Sequence, residues 1–73
     1  MRLTYDSEAD AAYIELPTTI GVGKSVRNII LDDLPLKGSL IIDVDKDGHL
    51  LGIEILGAAS VLPPEVLHDA DPL

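Results

Sequence analysis

The chain has no cysteine, no tryptophan and no phenylalanine, and only two tyrosines. Each absence excludes something. Without cysteine there is no disulfide and no thiolate-bound zinc. The two histidines, His49 and His68, could hold zinc only with carboxylate help. Aromatics at 3% leave no stacking platform for single-stranded nucleic acid. Basic residues are scarce as well: 5 against 13 acids, a net charge of −8. Duplex binders gain affinity by neutralising phosphates, so no nucleic acid is expected as a partner of the lone domain. The acidic balance suits solubility, or a basic protein partner. No apolar run approaches membrane-spanning length. The opening "MRLTYDSEAD" turns acidic early and carries no apolar segment of the signal-peptide kind. A cytoplasmic protein with no membrane partner and no cofactor is the expectation.

What is present is aliphatic. Hydrophobic residues make up 47% of the 73 positions, which form one small domain over 1–73. A chain this short buries only about 60% of its unfolded surface when it folds alone. Small scaffolds usually need a disulfide, a metal or a partner subunit. With the first route closed, a homo-oligomer is expected.

Two-residue alternation dominates the chain. "RLTY" and "AAYIEL" flank the polar "DSEAD" and read as a hairpin. Ala12, Ile14 and Leu16 point to one side, and Ala11, Tyr13 and Glu15 to the other. Pro17 closes that strand, and Gly21 and Gly23 mark a flexible connection. "SVRNIIL" is a third strand, and "DDLPLKG" breaks it at Pro35 and Gly38. "SLIIDV" and "HLLGIEIL" are the fourth and fifth. The end loses the alternation. Pro64 and Glu65 suit the first turn of a helix, Val66 and Leu67 could dock on the sheet, and a frayed tail is expected from Asp69. The fold class is α+β: an antiparallel meander of about five strands, near 2–5, 11–16, 25–31, 39–46 and 49–56, with a short C-terminal helix near 63–69.

One stretch admits two readings. "DVDKDGHLLGIE" places Asp43, Asp45, Asp47, Gly48 and Glu54 at the fixed positions of an EF-hand calcium loop. Such a loop needs a helix on each side. Here "GSLII" and "GIEIL" are β-branched and alternating, Gly52 weakens any exiting helix, and Leu51 stands where a polar group is usual. The rival is a hairpin with Asp47-Gly48 as a two-residue turn. That register puts Lys46 opposite His49, Val44 opposite Leu51 and Ile42 opposite Ile53. One face then collects Leu40, Ile42, Val44, Leu51, Ile53 and Ile55. The other collects Asp43, Asp45, Gly52 and Glu54, with Ile41, Leu50 and Leu56. A three-residue loop, Lys46-Asp47-Gly48 with Gly48 in a bulge, would mix Asp43 with Leu51 and Ile53. A one-residue slip flips a whole strand, so the segregated register is preferred. Metal ligation is then not the expectation. What remains is a weak surface cation site at Asp43, Asp45 and Glu54, against the blander reading of a solvated acidic face.

Other candidates read as structural. Tyr5 and Tyr13 could meet across the first hairpin, as aromatic pairs do. Asp6 and Asp10 suit hydrogen bonds to turn amides. His49 sits across the turn from Lys46, and His68 lies in the frayed end. Ser60 and both histidines lack a base or orienting partner at any recognisable spacing, so no catalytic residue is assigned. Gly21 and Gly23 lack the context of a phosphate cradle.

"YDSEADAAYIEL" together with "IIDVDKDGHLLGIEILGAAS" resembles the YuzE-like bacterial proteins, a domain of unknown function. The matching positions run from Tyr5, Asp6, Glu8, Asp10, Ala11, Tyr13 and Ile14 to Asp43, Asp45, Gly48, Gly52, Ile53, Glu54, Ile55 and Ser60. Residues 17 to 38 carry little of the pattern, and Ala12 stands where a larger aliphatic is common. The resemblance implies no established activity and so no catalytic residue. Some members are encoded beside small candidate toxins, which implies an antitoxin-like role by association alone. The leading expectation is a non-enzymatic interaction module, with a basic partner. A small ligand- or cation-binding domain using the acidic face of Asp43, Asp45 and Glu54 is the alternative, and hydrolysis at those carboxylates a distant third.

Overall fold

A computed structural model describes residues 1–16 and 26–73. Pro17, Ser25 and the Gly21–Gly23 connection lie outside the described residues. Among the described residues, six strands form one mixed sheet: β1 (Arg2–Asp6), β2 (Ala11–Glu15), β3 (Arg27–Leu31), β4 (Ser39–Val44), β5 (Leu50–Leu56) and β6 (Asp71–Pro72). Two short helices, α1 (Ala58–Val61) and α2 (Pro64–Asp69), sit between β5 and β6. No helix among the described residues is long and apolar enough to cross a membrane.

The mainly antiparallel sheet with a C-terminal helix matches the sequence reading, and its strand order refines it. The order is β3-β4-β5-β2-β1-β6. Three of the pairings a meander requires are present: β1 with β2, β3 with β4, and β4 with β5. The link from β2 to β3 is replaced by β2 against β5. Alternation specifies which face a residue takes, and it is silent on which strand lies alongside. β5 is the longest strand, and placing it centrally buries Ile55 between Ala12 and Leu40. The frayed tail is a second difference. Asp71–Pro72 pairs parallel with β1, and the Leu73 amide donates to the Tyr5 carbonyl at 3.0 Å. Pro72 is tolerated because it lies on an edge.

One face of the sheet carries the core. Ala12, Ile55 and Ala58 are buried together, with Leu3, Tyr5, Ile14, Leu40, Ile53, Val61, Leu62 and Leu67 packed around them. The small Ala12 is 1% exposed and Ala58 is fully buried, so two alanines let α1 approach the sheet closely. Val61, Leu62 and, from α2, Leu67 pack against this cluster. Pro64 opens α2 with Glu65 in its first turn, as the sequence indicates.

The hairpin between β4 and β5 combines both registers considered above. Ile42 faces Ile53 and Asp43 faces Gly52, as the two-residue turn requires. Val44 then faces Leu50, not Leu51. The expected Val44–Leu51 pairing is therefore overturned: Leu51 is the extra residue of a bulge on β5. Beyond it, the Asp45 amide donates to the His49 carbonyl at 3.0 Å, which closes a three-residue loop of Lys46, Asp47 and Gly48. His49 thus opposes Asp45, not Lys46. Gly48 has φ +83, the left-handed geometry such a loop needs at its last position. The loop shifts the register by one residue and the bulge shifts it back. Asp43 stays off the core side, and Leu51 stays buried at 9% exposure. Leu50 shares Val44's face, since cross-strand partners do, and so leaves the acidic face assigned to it.

Candidate functional site

The sheet face opposite the helices bears the candidate site. Along its central row, Thr4, Tyr13, Glu54, Ile41 and Ile30 stand opposite one another in turn. The neighbouring row runs Arg2, Glu15, Gly52, Asp43 and Asn28. Tyr13, Asn28, Ile30, Ile41, Asp43 and Glu54 line an open pocket of about 370 Å³.

Gly52 creates the pocket's geometry. A Cβ at this position would lie 2.1 Å from the Tyr13 hydroxyl and 2.5 Å from its Cζ. The ring therefore lies directly over β5, where any side chain would block it. Its hydroxyl donates to Asp43 Oδ2 on β4 at 2.8 Å. Asn28 Nδ2 on β3 donates to the other oxygen, Oδ1. Asp43 thus accepts one bond from each side, and the network ties β2, β4 and β3 together. The Glu54 carboxylate makes no hydrogen bond or salt bridge with the described residues. Burial pushes the Tyr13 phenol up to about 12, helped by its bond to Asp43 and by the charges of Asp43, Glu15 and Glu54. The phenol is a donor at neutral pH, and no phenolate is available there as a base.

Of the expected cation trio, Asp43 and Glu54 line one pocket, and Asp45 stays at the hairpin tip. There its Oδ1 accepts the Asp47 amide at 2.9 Å and the His49 amide at 2.8 Å. Its Oδ2 lies 3.2 Å from His49 Nδ1. These contacts, the His49 amide foremost, hold the Asp45 carboxyl below its ordinary range. Ligand atoms of Asp45, Asp47 and His49 lie within 4.8 Å of one another. The turn hydrogen bonds account for this grouping without an ion.

The other conspicuous carboxylate is Asp10. Its Oδ1 accepts the Tyr5 hydroxyl at 2.9 Å and the Ala59 amide at 2.8 Å. Its carbonyl accepts the amides of Gly57 and Ala58 at 3.0 and 3.1 Å. Asp10 therefore anchors the start of α1 and does not serve its own turn. Asp6 does, accepting from the Glu8 and Ala9 amides. Tyr5 and Tyr13 do not meet: Tyr5 faces Ala12 and Tyr13 faces Thr4, on opposite sides of the sheet. The Asp6–Ala11 pairing sets them on opposite faces, and their sequence separation of eight does not. Ser60 is exposed on α1. His68 lies in the last turn of α2, not in a frayed end, and is exposed. Sequence reasoning missed Asn28, Ile30 and Tyr13 as pocket residues. Gly52 was the available signal, because a glycine inside a strand marks close approach by another group.

The family described as "Protein of unknown function (DUF2283)" matches residues 2–58. The "Uncharacterized protein YuzE" of Bacillus subtilis (strain 168) is 34% identical over 61 residues. That match covers 82% of this chain and 43% of the relative, so the chain spans less than half of that protein's length. No solved structure matches the chain.

Proposed function

The chain belongs to the YuzE-like family of proteins of unknown function (DUF2283), and from that premise we propose a non-enzymatic interaction module that works through its open sheet face. In this reading it acts in the cytoplasm as an antitoxin-like partner of a small basic protein. The supporting observation is that the fold is one-sided. Both helices pack on one face, and the other presents Ile30 at 64% exposure with Leu56 and half-buried Ile41 among carboxylates. Apolar surface rimmed by polar groups is characteristic of a docking site. The net charge of −8 favours a basic occupant.

The same face suits self-association poorly. A two-fold contact centred on the pocket would bring the Asp43 and Glu54 carboxylates of the two copies together. The proposed homo-oligomer therefore forms through β3, which among the described residues pairs only with β4. Catalysis gains no support from the pocket. Tyr13 is held protonated, and both Asp43 oxygens already accept hydrogen bonds. The alternative of a cation-binding domain draws on Asp43 and Glu54 sharing one pocket.

Co-expression with the protein encoded next to it tests the reading. A small basic product that co-purifies, and is lost on Ile30→Lys with circular dichroism unchanged, is the expected result. A neighbour that is neither toxic nor co-purifying would remove the antitoxin reading. Calorimetry with calcium and magnesium tests the alternative, which requires heat that Glu54→Gln abolishes.

A further inference from the structure

We infer that the pocket at the centre of the open face receives one arginine side chain of the partner protein. This deepens the interaction reading above and rests on it for the source of the arginine.

Size sets the first limit. Small-molecule sites run from roughly 300 to 1,000 Å³. At about 370 Å³ and open to solvent, this pocket lies at the low end of that range and has room for one long side chain. Its walls set the second. Ile30 and Ile41 face each other on β3 and β4, and Glu54 faces Ile41 from β5. A side chain lying along that row would pass an aliphatic surface before reaching a carboxylate. Long basic side chains use apolar surface in this way, with the stem buried and the charged head at a polar group. Tyr13 completes the row on the far side of Glu54, and its ring offers a face for a planar cation.

Hydrogen-bond inventory separates arginine from the alternatives. Both Asp43 oxygens accept from within the fold, whereas Glu54 has no partner among the described residues. A carboxylate whose two oxygens have no partner among the described residues matches the two-pronged guanidinium fork, and the planar group also stacks on an aromatic ring. Lysine brings a point charge that uses neither feature. Calcium needs six to eight oxygens. The pocket offers two carboxylates, one already engaged, between two isoleucines. An anion would meet two like charges.

The test is an NMR titration of the full chain with N-acetyl-arginine amide. N-acetyl-citrulline amide, the neutral isostere, and N-acetyl-lysine amide serve as comparisons. Saturable shifts confined to Tyr13, Gly52 to Ile55 and the Ile30 and Ile41 methyls are expected with arginine. Citrulline should give none and lysine weaker ones. Glu54→Gln should weaken arginine binding roughly tenfold, about 1.4 kcal/mol. Asp45→Asn, which removes an equal charge at the hairpin tip, should leave it unchanged.

Three results would overturn the inference: shifts spread over the whole acidic surface, equal responses to arginine and lysine, or pocket shifts produced by calcium chloride at lower concentration. The wild-type comparison with citrulline keeps the test valid even if Glu54→Gln does not fold. Failure of the pocket and failure of the interaction reading are distinguishable. A partner that binds in an Ile30-dependent manner but ignores Glu54→Gln refutes the pocket alone. Arginine saturating the pocket while nothing co-purifies refutes the protein source alone.

Discussion

The Tyr13 hydroxyl reaches Asp43 across the whole width of β5, at 2.8 Å, by passing over Gly52. Tyr13 is on β2 and Asp43 on β4, so the bond joins two strands that are not neighbours. Such a bridge is possible only where the intervening strand has no side chain on that face.

Gly52→Ala should therefore be costly. The new Cβ would meet the Tyr13 ring, and the Ile14 carbonyl at 2.9 Å limits any backbone retreat. Overpacking of this kind costs about 1–3 kcal/mol. Urea denaturation should show that loss. The Tyr13 side-chain resonances should show the ring displaced. If the ring and the stability are both unchanged, the bridge does not govern this face.

Tyr13→Phe removes the hydroxyl and keeps the ring. A loss of about 1 kcal/mol is expected. Alkaline stability gives a second measurement. The folded phenol titrates at about 12 and the unfolded one near the ordinary value of 10.0, so the folded state holds its proton more tightly. Its contribution is complete below pH 10 and declines as pH rises toward 12. Urea midpoints across that interval should fall more steeply for the wild type than for Tyr13→Phe. Parallel curves would show that the phenol is not coupled to folding.

The sequence made the strands and their faces legible, and the neighbours much less so. Ile42, Ile53 and Asp43 fall on their expected sides because alternation encodes sidedness directly. The placement of β2 beside β5 has no local signal; it follows from burying the longest strand in the centre. Asp71–Pro72 pairs through two residues, too few for any period to show, and α1 is a single turn. The hairpin is the most instructive case. Segregation of apolar and acidic residues was the correct criterion, but a two-residue turn was not the only way to meet it. A three-residue loop with a compensating bulge at Leu51 gives the same faces. The pocket was half visible: Asp43 and Glu54 stood out as carboxylates, whereas Ile30 and Asn28 enter through the β3–β4 register.

Asp10 separates conformational strain from hydrogen bonding. It has φ +50 and accepts both the Tyr5 hydroxyl and the Ala59 amide through Oδ1. Asn retains an acceptor there and tolerates the left-handed region, so Asp10→Asn should be close to wild type. Gly relieves strain but loses the acceptor. Ala loses the acceptor and adds about 1–2 kcal/mol of backbone strain. Thermal melts should rank Asn above Gly and Gly above Ala. Placing Ala level with Gly would show that the positive φ carries no cost here.

The hairpin tip should respond to acid through Asp45. Its carboxyl is held low, first by the His49 amide and then by the Asp47 amide and the His49 ring. A folded pKa below the unfolded one means that the contribution is complete above the ordinary carboxylate value. It is lost as pH falls through the lowered folded value. Amide shifts of Asp47 and His49 should therefore move together on acidification, later than those reporting an unperturbed carboxylate. Asp45→Asn should abolish that coupled step while keeping the turn, since its side-chain oxygen still accepts. Gly48→Ala tests the loop by another route. Nothing lies within 4 Å of a Cβ at that position, so crowding plays no part and only the φ of +83 opposes the change. A loss of about 1–2 kcal/mol with Val44 still opposite Leu50 is expected. If the strain instead opens the three-residue loop, the cross-strand nuclear Overhauser effects between Val44 and Leu50 would be lost. The bulge would then be the dependent feature and the loop its cause.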